Sequence, residues 1–116
     1  MPAKLTPADP AAVAEALSRT DRSRDDERLL TKHFLALLVR RAPGRSVEVR
    51  VPPYAAAQAV EGVRHTRGTP PAVVELDADT WVALATGVTS WCEAEAEGRV
   101  RASGERADLS AYLPLV

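Results

Sequence analysis

The sequence is short of cysteine, aromatics and long apolar runs, and each shortage closes off a class of protein. Cys92 is its lone cysteine, which excludes an internal disulfide and a cysteine-rich zinc site and suits a reducing compartment. Aromatic residues make up 4% of the chain against 46% apolar residues in all, so the core must be built mainly from Val, Leu and Ala. No apolar run approaches the roughly 18 residues that a membrane-spanning helix needs. The opening residues MPAKLTPADP carry no apolar stretch of the kind that marks a secretory signal. These absences lead us to expect a soluble cytoplasmic protein with no stable membrane insertion. The net charge of −1 gives no global field to attract nucleic acid. Thirteen of the fifteen cations are Arg, a bias that a GC-rich genome explains as well as phosphate binding does. The chain contains no P-loop glycine–lysine motif, no Gly-rich dinucleotide turn and no G-x-S-x-G elbow. His33 and His65 are the only histidines, and neither has acids at metal-ligand spacing. We therefore expect no metal, no cofactor and no enzymatic activity.

What is present reads as one domain. A chain of 116 residues buries about two-thirds of its unfolded surface, enough for one core. Asp9 can cap a short helix with Pro10 at its first position, and Val13, Ala16 and Leu17 line one side of it. A charged connection over residues 18–26 follows. We read residues 1–24 as an N-terminal arm with a short helix and 25–116 as the domain. The main helix spans about Asp25 to Arg41. Leu30, Phe34, Leu37 and Leu38 form its broad apolar face, and Leu35 and Val39 form a second stripe, which the Val13/Leu17 helix could cover. Pro43-Gly44 stops it.

Val47, Val49 and Val51 alternate with Glu48 and Arg50, the period-2 pattern of a strand with one wet face. Pro52-Pro53 forces a corner, and residues 54–61 return as a second strand of a hairpin. Val63 to Thr66 reads as a short third strand. The stretch from Ala72 to Gly87 then condenses the design. Val73, Val74 and Leu76 make a strand, Asp77 or Asp79 caps a helix, and Ala78, Trp81, Leu84 and Ala85 form its apolar face. Gly87 sits where a left-handed cap is needed. A further helix starts at Thr89 or Ser90, with Ser90 and Glu93 at capping-box spacing, and Trp91 and Ala94 point inward. Arg99 to Ser103 is a last strand with Val100 and Ala102 on one face, and residues 108–113 form a helical turn. Tight hairpins early and helix-separated strands later make an α+β layer, a largely antiparallel sheet with helices on one face.

Three places could carry chemistry. The loop Arg64-His65-Thr66-Arg67-Gly68-Thr69 offers guanidinium groups, an imidazole and free N–H groups to a carboxylate or phosphate. The simpler reading is a solvated loop whose arginines cover the sheet edge or pair with Glu61 and Glu75. Cys92, in the first turn of a helix, has some thiolate character, but a small buried or half-buried side chain is the simpler reading. The apolar faces are the third place. They are ordinary core if they close on each other and a ligand cavity if they do not. The lining of such a cavity is Phe34, Leu38, Val49, Val60, Val74, Leu76, Trp81, Leu84, Leu109 and Leu113.

VVELDADTWVALATG, then Gly98-Arg99-Val100-Arg101-Ala102-Ser103-Gly104, then ADLSAYLPL resemble the C-terminal half of sterol-carrier-protein-like domains. SVEVRVPP and EGVRHTRGTPPAVVEL resemble its small stand-alone bacterial branch. The resemblance covers residues 29–115. It implies a five-stranded, mainly antiparallel sheet with helices packed on one face, and a lipid tunnel between sheet and helices. It also implies that the C-terminal segment, here Leu109, Tyr112, Leu113 and Leu115, helps close that tunnel. The same fold is an accessory domain in mycothiol-dependent maleylpyruvate isomerases, whose metal-binding catalytic domain has no counterpart here. The expected function is non-catalytic binding or carrying of an apolar small molecule, a fatty acyl or sterol-like lipid, with Arg64, His65 and Arg67 meeting a head group. The alternative is a ligand-free module with a filled core that binds a protein partner.

Overall fold

The computed structural model describes residues 4–62 and 72–116. Helix α1, Pro10–Ser18, begins where the Asp9 carboxylate accepts the Ala12 N–H, and proline fills a position whose N–H would lack a partner anyway. Helix α2, Arg24–Arg41, starts on a reciprocal capping box. Ser23 Oγ accepts the Asp26 N–H at 3.1 Å, and the Asp26 carboxylate accepts the Ser23 N–H at 3.2 Å. Arg19 pairs with the same carboxylate and ties the end of α1 to the start of α2. Burial alone would raise the Asp26 pKa. The Ser23 hydrogen bonds and the Arg19 charge outweigh it and hold the carboxyl below its ordinary 3.8. α1 packs against α2, burying Val13 and Ala16 while Leu35 is fully enclosed.

The valine alternation of the sequence becomes β1, Val47–Val51, with all three valines buried. After the Pro52-Pro53 corner, β2, Ala55–Ala59, returns antiparallel to it, pairing Val49 with Ala57. β3, Ala72–Leu76, lies on the other side of β1, and β4, Val100–Ser103, pairs with β3. The strand order is β2-β1-β3-β4. This corrects the expected five-stranded, mainly antiparallel sheet. Four strands are found among the described residues, and β1 and β3 run parallel. The tight hairpin gives β2 one edge of β1, so the chain must cross over before it can pair with the other edge, and such a crossover is what parallel pairing needs. The third strand expected at residues 63–66 lies outside the described residues.

Register sorts the sheet into two faces. The inner face holds the rows Ala59–Val47–Ala72 and Ala57–Val49–Val74–Ala102, with Val51, Leu76 and Val100 at its end. The outer face carries Ala56–Arg50–Glu75–Arg101, an alternation of charge across neighbouring strands. Helix α3, Ala78–Thr86, is capped by Asp77, whose carboxylate accepts the Thr80 N–H at 2.8 Å, and ends on Gly87 at φ +80°. Helix α4, Trp91–Ala96, is capped by Ser90 and packs against β4. Trp91 and Ala94 face inward as expected, which turns Cys92 out to solvent. The reading of Cys92 as buried or half-buried is thereby corrected. Ala102 is exposed too, because β4 is an edge strand and the cover reaches only Val100. No helix among the described residues is long and apolar enough to cross a membrane.

Candidate functional site

The structure gathers nine of the ten expected lining residues into one core. Phe34, Leu38, Val49, Val60, Val74, Leu76, Trp81, Leu84 and Leu109 are buried together, and Leu113 is half-buried against them. Trp81, Phe34, Leu38, Val49, Val74 and Leu109 are 0% exposed. Side chains with no surface left for a water molecule border no water-sized void. The indole N–H of Trp81 donates to the Thr31 carbonyl at 3.3 Å and fixes α3 on α2. At its centre, the layer between sheet and helices is closed.

Val60 does a different job from the one its apolar side chain suggests. It follows β2 with φ +70°, a backbone region that a β-branched residue rarely enters. Its N–H donates to the Ala42 carbonyl at 2.6 Å, and its own carbonyl accepts from Ser46 N–H and Ser46 Oγ at 3.0 and 2.7 Å. Val60 thus clamps the turn between α2 and β1. A side chain on Gly44 in that turn would run into the Val60 carbonyl. The expected head-group residues Arg64, His65 and Arg67 lie outside the described residues.

The layer is open at its edge. A groove of about 850 Å³ runs between the N-terminal arm, α2 and β2. Leu5 and Thr6 stand on one side, Ala36 and Val39 on another, and Ala56 and Ala57 form the β2 side. Its volume falls in the range of small-molecule sites, about 300–1,000 Å³. The cause is local sequence. β2 reads AAAQA, so the inner row carries Ala55, Ala57 and Ala59 beneath α2 where β1 carries three valines. α1 encloses Leu35 from the second stripe of α2, but Val39 stays half-exposed and faces the groove. Lys4, Arg40 and Arg45 line the rim, with Glu48 as the one carboxylate among the described residues, itself paired with Arg50. None of the residues expected to line a cavity lies in this groove. The signals were an alanine run at a sheet edge and a helix stripe only half covered.

Two hydrogen-bonded fastenings flank the layer. On one side Arg41 Nη1 donates to the carbonyls of Tyr112 and Pro114 at 3.0 and 2.6 Å, and Nη2 reaches that of Leu115 at 3.5 Å. The Leu115 N–H bonds the Ala85 carbonyl at 2.8 Å, so the C-terminal segment straps α2 to α3 with Leu109 and Leu115 buried beneath it. On the other side the Ala8 N–H donates to His33 Nδ1 at 3.0 Å and holds the arm on α2. Burial of the imidazole lowers the His33 pKa below its ordinary 6.5, which keeps that nitrogen free to accept.

Among the described residues no group of three or more His, Cys, Asp or Glu side chains could hold a metal ion. A smaller concavity of about 320 Å³ lies at the opposite sheet edge among Glu75, Asp77, Arg99 and Arg101, but Arg99 is spent on Glu97 and Thr89. Compared with known families, residues 23–115 match the model of a family described as "Bacterial SCP ortholog". No curated protein matches the chain.

Proposed function

The chain belongs to the bacterial SCP ortholog family, and from that premise we propose that it binds an apolar small molecule of the fatty acyl class without catalysing a reaction on it. The observation that carries this reading is the groove of about 850 Å³ at the edge of a layer whose centre is closed among the described residues. Its floor residue Ala57 shares an inner row with Val49 and Val74, so the groove opens directly onto the sheet–helix layer. An acyl chain laid there removes apolar surface from water at about 25 cal/mol per Å². The interface between Phe34, Trp81 and Val74 is a second seat for the tail, reached only if those closed side chains move apart.

Native mass spectrometry of the purified protein tests this. We expect a co-purifying acyl mass, and its loss in Ala57→Trp, which projects a large ring from the inner row into the groove, with circular dichroism checking that the fold is retained. An apo mass combined with no calorimetric response to added fatty acids would overturn the reading. That result would favour the second reading, a ligand-free interaction module. The observation on its side is the closed centre of the layer, where Trp81 and Phe34 are fully buried.

A further inference from the structure

We infer that the groove selects a free amphiphile with an anionic head, a single-chain carboxylate, and that Arg40 and Lys4 hold that head at its rim. The inference rests on the groove as the acyl site and adds what the other end of the ligand must be. Two cations, Lys4 and Arg40, line a concavity in which the one carboxylate among the described residues, Glu48, is already paired with Arg50. The whole chain carries −1, so a locally positive rim departs from the average surface. Neighbouring arginines at the end of α2 show that the charge there is not interchangeable. Arg41 spends its guanidinium on backbone carbonyls of the C-terminal strap. Arg40 lines the groove and forms no salt bridge with any described residue, and neither does Lys4.

The arrangement is that of an amphiphile's complement. Leu5, Val39 and Ala57 provide apolar wall, and the guanidinium fork of Arg40 matches a carboxylate with two parallel N–H donors. The alkyl stems of Lys4 and Arg40 extend the apolar wall while their charged ends stay in water. Lys4 lies in the arm, outside the residues that match the family, and the arm is held by the bond from Ala8 to His33. The head-group site is therefore assembled from two parts of the chain.

Titration calorimetry with decanoate and with decan-1-ol, on the full chain and on Arg40→Gln/Lys4→Gln, tests the inference. The two probes share a tail and differ in charge. We expect decanoate to bind about tenfold more tightly than the alcohol, and the ratio of the two affinities to fall to about one in the double variant, whatever the shorter Gln stems cost both probes alike. Added salt should weaken decanoate binding alone. Equal binding of both probes to the native chain would overturn the anionic-head assignment and leave the acyl reading standing. A preference that survives the double variant would place the anion elsewhere and overturn the assignment to Arg40 and Lys4. Binding of neither probe would overturn the acyl reading and this inference together.

Discussion

The two flanks of α2 are finished in opposite ways. Under the C-terminal strap, Leu109, Trp81 and Phe34 exclude water and Arg41 bolts the strap's carbonyls down. Along β2, the same helix faces a row of alanines, and a groove remains. Large side chains facing valines close a layer, whereas small side chains on an edge strand leave it ajar. One helix can therefore anchor a rigid core and border a binding groove, because the two tasks are given to different faces.

The largest expected effect separates the flanks by packing. Leu109→Ala should lower unfolding free energy by about 2–5 kcal/mol, while Val39→Ala on the groove side should cost under about 1 kcal/mol. Urea denaturation of both variants measures the difference, and equal losses would mean that the groove flank is packed like the core. Next comes the turn that supports the groove. Gly44→Ala forces a side chain against the Val60 carbonyl at φ +152° and should cost about 1–3 kcal/mol. Neutral thermal melts for this variant would show that the turn adjusts freely.

The adjacent arginines sharpen the contrast on a smaller scale. Arg41→Ala should cost about 1 kcal/mol by loss of its carbonyl partners and speed hydrogen exchange at the Leu115 amide. Arg40→Ala should stay within about 0.5 kcal/mol of the parent. A reversal of that order would break the division of labour between them. The smallest effect concerns the arm. Because the folded state lowers the His33 pKa, the neutral ring contributes stability above its ordinary 6.5, and that contribution is lost as pH falls through the lower folded value. Protonation turns Nδ1 into a donor, so the Ala8 amide should exchange faster under acid conditions in the native chain, whereas its exchange in His33→Phe should lose this titration. An Ala8 amide indifferent to pH in the native chain would show that other contacts hold the arm.

Most of the local structure was legible because it depends on neighbours in sequence. Asp9-Pro10, the pair Asp77/Asp79 and the pair Thr89/Ser90 announced helix starts, with the structure selecting Asp77 and Ser90, Gly87 announced a helix end, and Val47-Val49-Val51 a half-wet strand, since caps and periodicity act over only a few residues. The candidate site was legible only in part. The apolar residues singled out do meet, but periodicity tells which side a residue faces and not whether the facing side chains leave space. Ala57, Val39 and Lys4 carry no signal in isolation. They matter because an edge strand, a half-covered helix stripe and a terminal arm converge on them.

The sequence by itself determined the apolar faces, the caps, the proline corner after β1 and the absence of the common catalytic motifs. Tertiary structure decided that β3 joins β1 in parallel, that Cys92 faces water, that Val60 serves as a clamp, and that a groove lies at the β2 edge. Those outcomes depend on which segments compete for the same edge and on how much volume meets across a layer. Both are set by contacts between residues far apart in the chain, which local pattern does not encode.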